Sequence, residues 1–256
     1  MSKRIWLLLL LAYGAVLLVT APAGMLGTLL RLASNERIEL ANTDGTVWNG
    51  TANPVLHLHS GELVVLDRVQ WKLALLKAFT GKLAIELLWT DAPHSFPMEA
   101  VIAPGQVELR HAHIPFPALL LGEVSAPLKP AALRGRIILD SDGLRITRQG
   151  ILGSATADWI NASSSLSQVS PLGNYHLTFT GTPDGLSTTL QTTSGALLLS
   201  GTGQFTNTTG LHFTGEAQAS NGNEEALGDL LSHLGPQVRP GVHAFMLVPT
   251  ALAPQL

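Results

Sequence analysis

The chain has 256 residues, no cysteine, a formal net charge of -3 and only 13% charged residues, about half the roughly 25% usual for soluble domains. Without cysteine there is no disulfide, no thiolate metal site and no thiol nucleophile, and without a Lys/Arg stripe to neutralise phosphates nucleic acid is excluded as a partner. So low a charge density is unusual for a free cytosolic protein.

Lys3 and Arg4 precede an uncharged run from Ile5 to Leu30. As a single helix this run would reach about 39 Å at 1.5 Å per residue, more than the roughly 30 Å of a bilayer's hydrocarbon core. It is predicted as a transmembrane anchor over 5–30 behind a cytoplasmic stub, 1–4. The positive-inside rule keeps the two basic residues in the cytoplasm and sends residues 31–256 across the membrane. The rival reading is a cleaved signal peptide, since Ala21 to Ala23 has the small-x-small form of a cleavage site. The uncleaved anchor is preferred because Met25, Leu26, Leu29 and Leu30 carry the apolar run beyond the length of a signal core. A buried core helix is disfavoured by the same length.

Past Arg31 the pattern becomes short alternating segments punctuated by glycine. In "DGTVWNGTA" (44–52) Trp48 has the parity of Thr46 and Gly50 and is predicted on a strand, its indole filling a hollow in the core; the functional alternative is a partner-binding anchor. Val69, Trp71, Leu73 and Leu75 oppose Arg68, Gln70 and Lys72, and Leu83, Ile85, Leu87 and Trp89 oppose Lys82, Ala84 and Glu86. Leu211, Phe213, Gly215 and Ala217 likewise oppose His212, Thr214, Glu216 and Gln218. Period two with one wet face predicts antiparallel strands. "NYHLTFTG" (174–181) and "GALLLSGTGQFT" (195–206) add further strands, and "SDG" (141–143), "PDG" (183–185) and "NTTG" (207–210) read as turns. The proline-rich stretch 110–135 reads as a connection between an N-terminal and a C-terminal group of strands. One amphipathic helix is predicted near the C-terminus: Leu227, Leu230, Leu231 and Leu234 share a face, Asn221 can cap, and Gly235 with Pro236 ends it. The fold class is therefore all-β, an antiparallel β-meander forming a curved sheet or sandwich, behind an N-terminal transmembrane helix.

Motifs for chemistry are missing. There is no phosphate-binding loop, nucleophile elbow or zinc helix of the His-Glu-x-x-His form. His57/His59 and His111/His113 each place two imidazoles on one side of a strand, but they are better read as solvated-face residues than as metal ligands. Asn49, Asn161 and Asn207 match the glycosylation triplet, which arises readily by chance in a Thr-rich chain. Glu224 and Glu225 suit the first turn of a helix and point in different directions, unlike an acid/base pair. No catalytic, cofactor-binding or metal-binding residue is assigned, and no cofactor is expected; the chain is read as a non-enzyme.

The order of landmarks carries a resemblance. "GTVWNGTA" (45–52), "VQWKL" (69–73), "GKLAIEL" (81–87), "ADWINASSSLSQVSPLGNYHL" (157–177), "GALLLSGTGQF" (195–205) and "EALGDLLSHLG" (225–235), behind a short anchor, together resemble protein N of the type II secretion system. The resemblance implies a single-pass inner-membrane protein of a Gram-negative bacterium with its bulk in the periplasm. It also implies partners among the other secretion proteins, in the inner-membrane platform and the secretin, and export of folded proteins across the outer membrane. The alternative is a periplasmic β-groove protein handling lipid, AsmA-like or lipopolysaccharide-bridge-like. The two differ in whether the apolar sheet face is filled by side chains or left open for acyl chains.

Overall fold

The computed structural model describes residues 3–58, 61–74, 82–91, 94–124, 126–148, 150–206 and 210–247. The chain divides into two units, Met1–Pro104 and Gly105–Leu256. Strand pairing in both is antiparallel, as the alternation predicts, and the strands of neither unit close into a barrel among the described residues.

Unit 1 begins with α1 (Lys3–Val19) and α2 (Ala23–Ala33). The apolar run is thus two helices, which corrects the expectation of one helix through 5–30. Pro22 is the cause: it has no N–H to give a preceding carbonyl, and its ring pushes Ala21 out of the helical region. Pro22 itself is extended, at φ -70° and ψ 148°. The break is then used by the fold. The Val47 N–H donates to the Ala21 carbonyl at 2.9 Å, Pro22 pairs with Thr46, and α2 turns back to bury Ala23 and Gly27. No helix among the described residues is long and apolar enough to cross a membrane.

Six strands follow: β1 (Ile38–Gly45), β2 (Asn49–His57), β3 (Leu63–Val65), β4 (Arg68–Ala74), β5 (Leu83–Asp91) and β6 (His94–Ala103). They are ordered β1-β2-β4-β5-β6, with β3 on β2. The apolar side of β4 and β5 meets α2 in a core of Ala23, Ala52 and Trp71, with Leu26, Leu40, Leu73, Ile85 and Leu87 packed around it. Trp48 is corrected here. It does not lie on a strand but in the turn between β1 and β2, closed by Thr46 N–H to Asn49 O at 2.8 Å, and it is half-buried. The indole that fills the hollow is Trp71, from the neighbouring strand. Its register partner is Gly50, where a Cβ would lie 2.6 Å from the Trp71 ring, and its Nε1–H donates to the Val47 carbonyl at 2.9 Å. The glycine beside Trp48 therefore makes room for an aromatic from across the ladder.

Unit 2 carries β7 (Gln106–Pro117), β8 (Arg134–Thr147), β9 (Ile151–Ser163), β10 (Gly173–Thr182), β11 (Gly185–Gly195), β12 (Leu197–Thr206), β13 (Gly210–Ala219), β14 (Gln237–Arg239) and β15 (Val242–Leu247). Neighbours in sequence pair from β7 to β13, then β15 pairs with β13 and β14 lies outside it. The proline-rich stretch is only partly a connection. Residues 106–117 form β7, and helical turns, among them α3 (Leu121–Val124), occupy 118–124 and 126–131. "PDG" turns the chain as predicted, with Thr182 opposite Gly185. "SDG" does not: it lies within β8 as a bulge, where the register slips between Asp140 and Gly143 and the Ser141 hydroxyl donates to the Ser154 carbonyl at 2.6 Å. An extra residue in a long strand absorbs the same polar composition as a turn. Of "NTTG", residues 207–209 lie outside the described residues.

The predicted C-terminal helix forms as α4 (Glu224–Leu234). Its cap is Asn223 in place of Asn221, and the Gly222 N–H is taken up by the Glu224 carboxylate at 2.8 Å. Leu227, Leu230 and Leu231 are buried against Leu172, Leu197 and Ala217, closing one end of the apolar face. Leu227 is fully buried, so Leu227→Ala is expected to lower stability by about 2–5 kcal/mol, measured by urea unfolding of the purified chain.

Candidate interaction surface

The two faces of the unit 2 sheet have opposite chemistry, and the strand parity of β11 to β15 makes them so. On the apolar face, Gly203 stands opposite Phe213 and Gly215 opposite Phe245. A Cβ at either glycine would lie 2.5 Å from the partner's ring. The bare backbone is thus the floor on which the rings rest, and the two phenyls stack at 5.9 Å. Tyr175, Leu190 and Ala162 complete this cluster, with Trp159, Leu177, Leu199 and Leu247 around it. Over these strands the chain's own side chains pack on the apolar face.

Tyr175 is the deepest polar group in that cluster, 2% exposed, and its hydroxyl donates to the Leu197 carbonyl at 3.0 Å. Burial raises its phenol pKa above the ordinary value, because the phenolate would lose its hydration. The unfolded chain therefore ionises first as pH passes about 10, so this contribution to stability is complete below that pH and is lost as pH rises. The melting temperature is expected to hold between neutrality and mild alkali and to fall at higher pH. Tyr175→Phe should flatten that fall while costing about 1 kcal/mol at neutral pH for the lost hydrogen bond.

The opposite face is wet. Gln191, Ser200 and Glu216 form one register row, and Thr189, Thr202 and Thr214 the next. Their short polar side chains line two adjoining hollows of about 460 and 750 Å³. Arg239 of β14 reaches across β15 to pair with Glu216. This surface offers hydroxyls, amides and one ion pair beside the apolar Leu190, Leu198, Val238 and Val242.

Two of the histidines that drew attention in the sequence, His57 and His113, pair with acids of neighbouring strands, as His176 also does. His113 Nδ1–H donates to Asp140 at 2.6 Å, His176 does the same to Asp158 at 2.6 Å, and His57 Nε2 lies 3.2 Å from Glu39. His111 sits at φ 51°, which breaks the strand parity that the His111/His113 spacing assumed. His59 lies outside the described residues. No group of three His, Asp or Glu that could hold a metal occurs among the described residues. Asn49 and Asn161 are exposed, and Asn207 is outside the described residues.

Against known proteins, residues 36–245 match the family model described as type II secretion system (T2SS), protein N. No curated protein and no solved structure gives a significant match.

Proposed function

The chain belongs to the type II secretion system protein N family, and from that premise we propose that it is an accessory, non-catalytic part of the machine, held in the inner membrane by α1 with both units on the periplasmic side. Family membership makes it a secretion component of the Gram-negative cell envelope, one not known as an enzyme, that interacts with other proteins of the system. The finer reading is that it contacts the inner-membrane platform and the secretin, and so contributes to export of folded proteins across the outer membrane.

The observation that carries this reading is the family match over 36–245, which takes in the strands of both units. The anchor is supported by α1 itself. Its described side chains, Ile5, Trp6, Leu9, Leu10, Tyr13, Val16, Leu17 and Val19 among them, are exposed. They cover an arc of about 180° at 100° per residue, wider than the roughly 100° stripe of a helix that packs on a core. Its 17 residues reach about 26 Å, a shortfall that tilt-free insertion and slight bilayer thinning absorb at modest cost.

Deletion of the gene in the native host, with complementation, tests the reading. Secreted enzymes are expected to accumulate in the periplasm while the outer-membrane barrier stays intact. Normal secretion with a leaky barrier, or phospholipid copurifying in stoichiometric amount, would turn the assignment toward lipid handling. N-terminal sequencing of the membrane-bound product checks the anchor separately: a chain starting at Gly24 would remove it.

A further inference from the structure

Helix α2 of unit 1 is apolar on two sides, and the sheet covers only one. Ala23 and Gly27 are buried and Leu26 and Leu30 half-buried on the side facing Leu40 and Trp71. Met25, Leu29 and Leu32 follow i, i+4, i+7, which places them in a second stripe pointing away from the sheet. They are 54%, 60% and 66% exposed. Gly24, Thr28 and Arg31 occupy the flank between the stripes. A helix between a sheet and water needs one apolar stripe; a second one calls for another apolar surrounding.

The chain length between the two helices says what that surrounding is. Only Thr20, Ala21 and Pro22 separate α1 from α2, and three extended residues span at most about 11 Å. They are also held in place: the Thr20 N–H and hydroxyl both donate to the Val16 carbonyl, the Ala21 carbonyl accepts from Val47, and Pro22 pairs with Thr46. With α1 in the bilayer, α2 must therefore start within the zone where interfacial helices sink their apolar faces, roughly 5–10 Å into the headgroup and acyl boundary. Arg31, in the last turn of α2, stands on the flank where a cation meets lipid phosphates.

We propose that α2 is an interfacial helix, its Met25, Leu29 and Leu32 stripe sunk in the periplasmic leaflet of the inner membrane, so that unit 1 is seated on the lipid surface instead of hanging from a tether. This rests on the membrane-anchor reading of α1. The pinned Ala21–Pro22 junction gives the seat its rigidity, because the turn that fixes it is itself fastened to the core through Trp71.

The absence of native cysteine provides a clean background for the test. Single Leu10→Cys, Leu29→Cys and Lys72→Cys variants of the full chain, each carrying a nitrobenzoxadiazole label, are placed in vesicles of phosphatidylethanolamine and phosphatidylglycerol. Lys72 is exposed on the side of β4 opposite Trp71 and reports water. The Leu29 label is expected to be quenched by a shallow lipid-borne nitroxide and to be several-fold less accessible to iodide than the Lys72 label. If the Leu29 label is as open to iodide as that of Lys72 while the Leu10 label stays protected, the seat is overturned and the anchor survives. If the Leu10 label is open to iodide too, the anchor reading falls and takes the seat with it. A Leu29 label shielded from iodide but untouched by the lipid quencher would mean a protein covers the stripe, which also overturns the proposal. Met25→Cys gives a second position on the stripe should Leu29→Cys fold poorly.

Discussion

Trp71→Ala is expected to lower the unfolding free energy by about 3–5 kcal/mol, the range for removing a large aromatic from a packed core. The ring is 5% exposed and rests on Gly50, so its loss leaves a cavity against a backbone that has no side chain to collapse into it. It also strips the Val47 carbonyl of its indole donor. Because the Val47 N–H holds Ala21, the same change loosens the junction between α1 and the body, and secretion in a complemented strain is expected to fall along with stability. Trp48→Ala is the control. Trp48 is half-buried in a turn, and its backbone carbonyl, which accepts from Leu73 at 2.7 Å, is kept in the variant. It should cost less than half as much, and urea unfolding of the two variants side by side checks the order.

Phe213→Ala is expected to cost a similar 3–5 kcal/mol, here in unit 2. The ring is 6% exposed, lies over both Gly201 and Gly203, and stacks on Phe245. The converse change, Gly203→Val, should also destabilise this region, since the added Cβ would overlap the ring at 2.5 Å and crowd the Thr188 hydroxyl at 3.1 Å; overpacking of this kind costs about 1–3 kcal/mol. Combining the two is informative. If the glycine exists to seat the ring, Gly203→Val should be less damaging in the Phe213→Ala background than alone, a coupling that a double-mutant cycle measures directly. Additive losses would mean that the glycine serves the backbone and not the aromatic.

Much of this architecture is legible in the chain. The period-two segments at 69–75, 83–89, 174–181 and 211–217 name their strands and the inward face of each, because side chains on a strand alternate and only one face is dry. The helix at 224–234 is equally plain, since its leucines, acidic first turn and glycine stop agree with one another. The landmark order from Trp48 to Gly235 led to the secretion family that the match over 36–245 then supplied.

What the chain alone left open depends on partners distant in sequence. That Gly50 serves Trp71, and Gly203 serves Phe213, is a fact of register, and register is fixed only when strands pair. A polar triplet such as Ser141–Gly143 can make a turn or a bulge; the neighbouring β9 decides by accepting the Ser141 hydroxyl on its Ser154 carbonyl. The run 5–30 is uncharged throughout, so hydropathy reads it as one span; Pro22 breaks the helix locally, and only the tertiary structure shows where the second half goes, with Ala23 and Gly27 buried on the sheet and the Ala21 carbonyl accepting from Val47. Local sequence therefore determined which residues avoid water, and tertiary pairing decided what each of them is buried against, since burial is a property of two surfaces and one segment carries only its own.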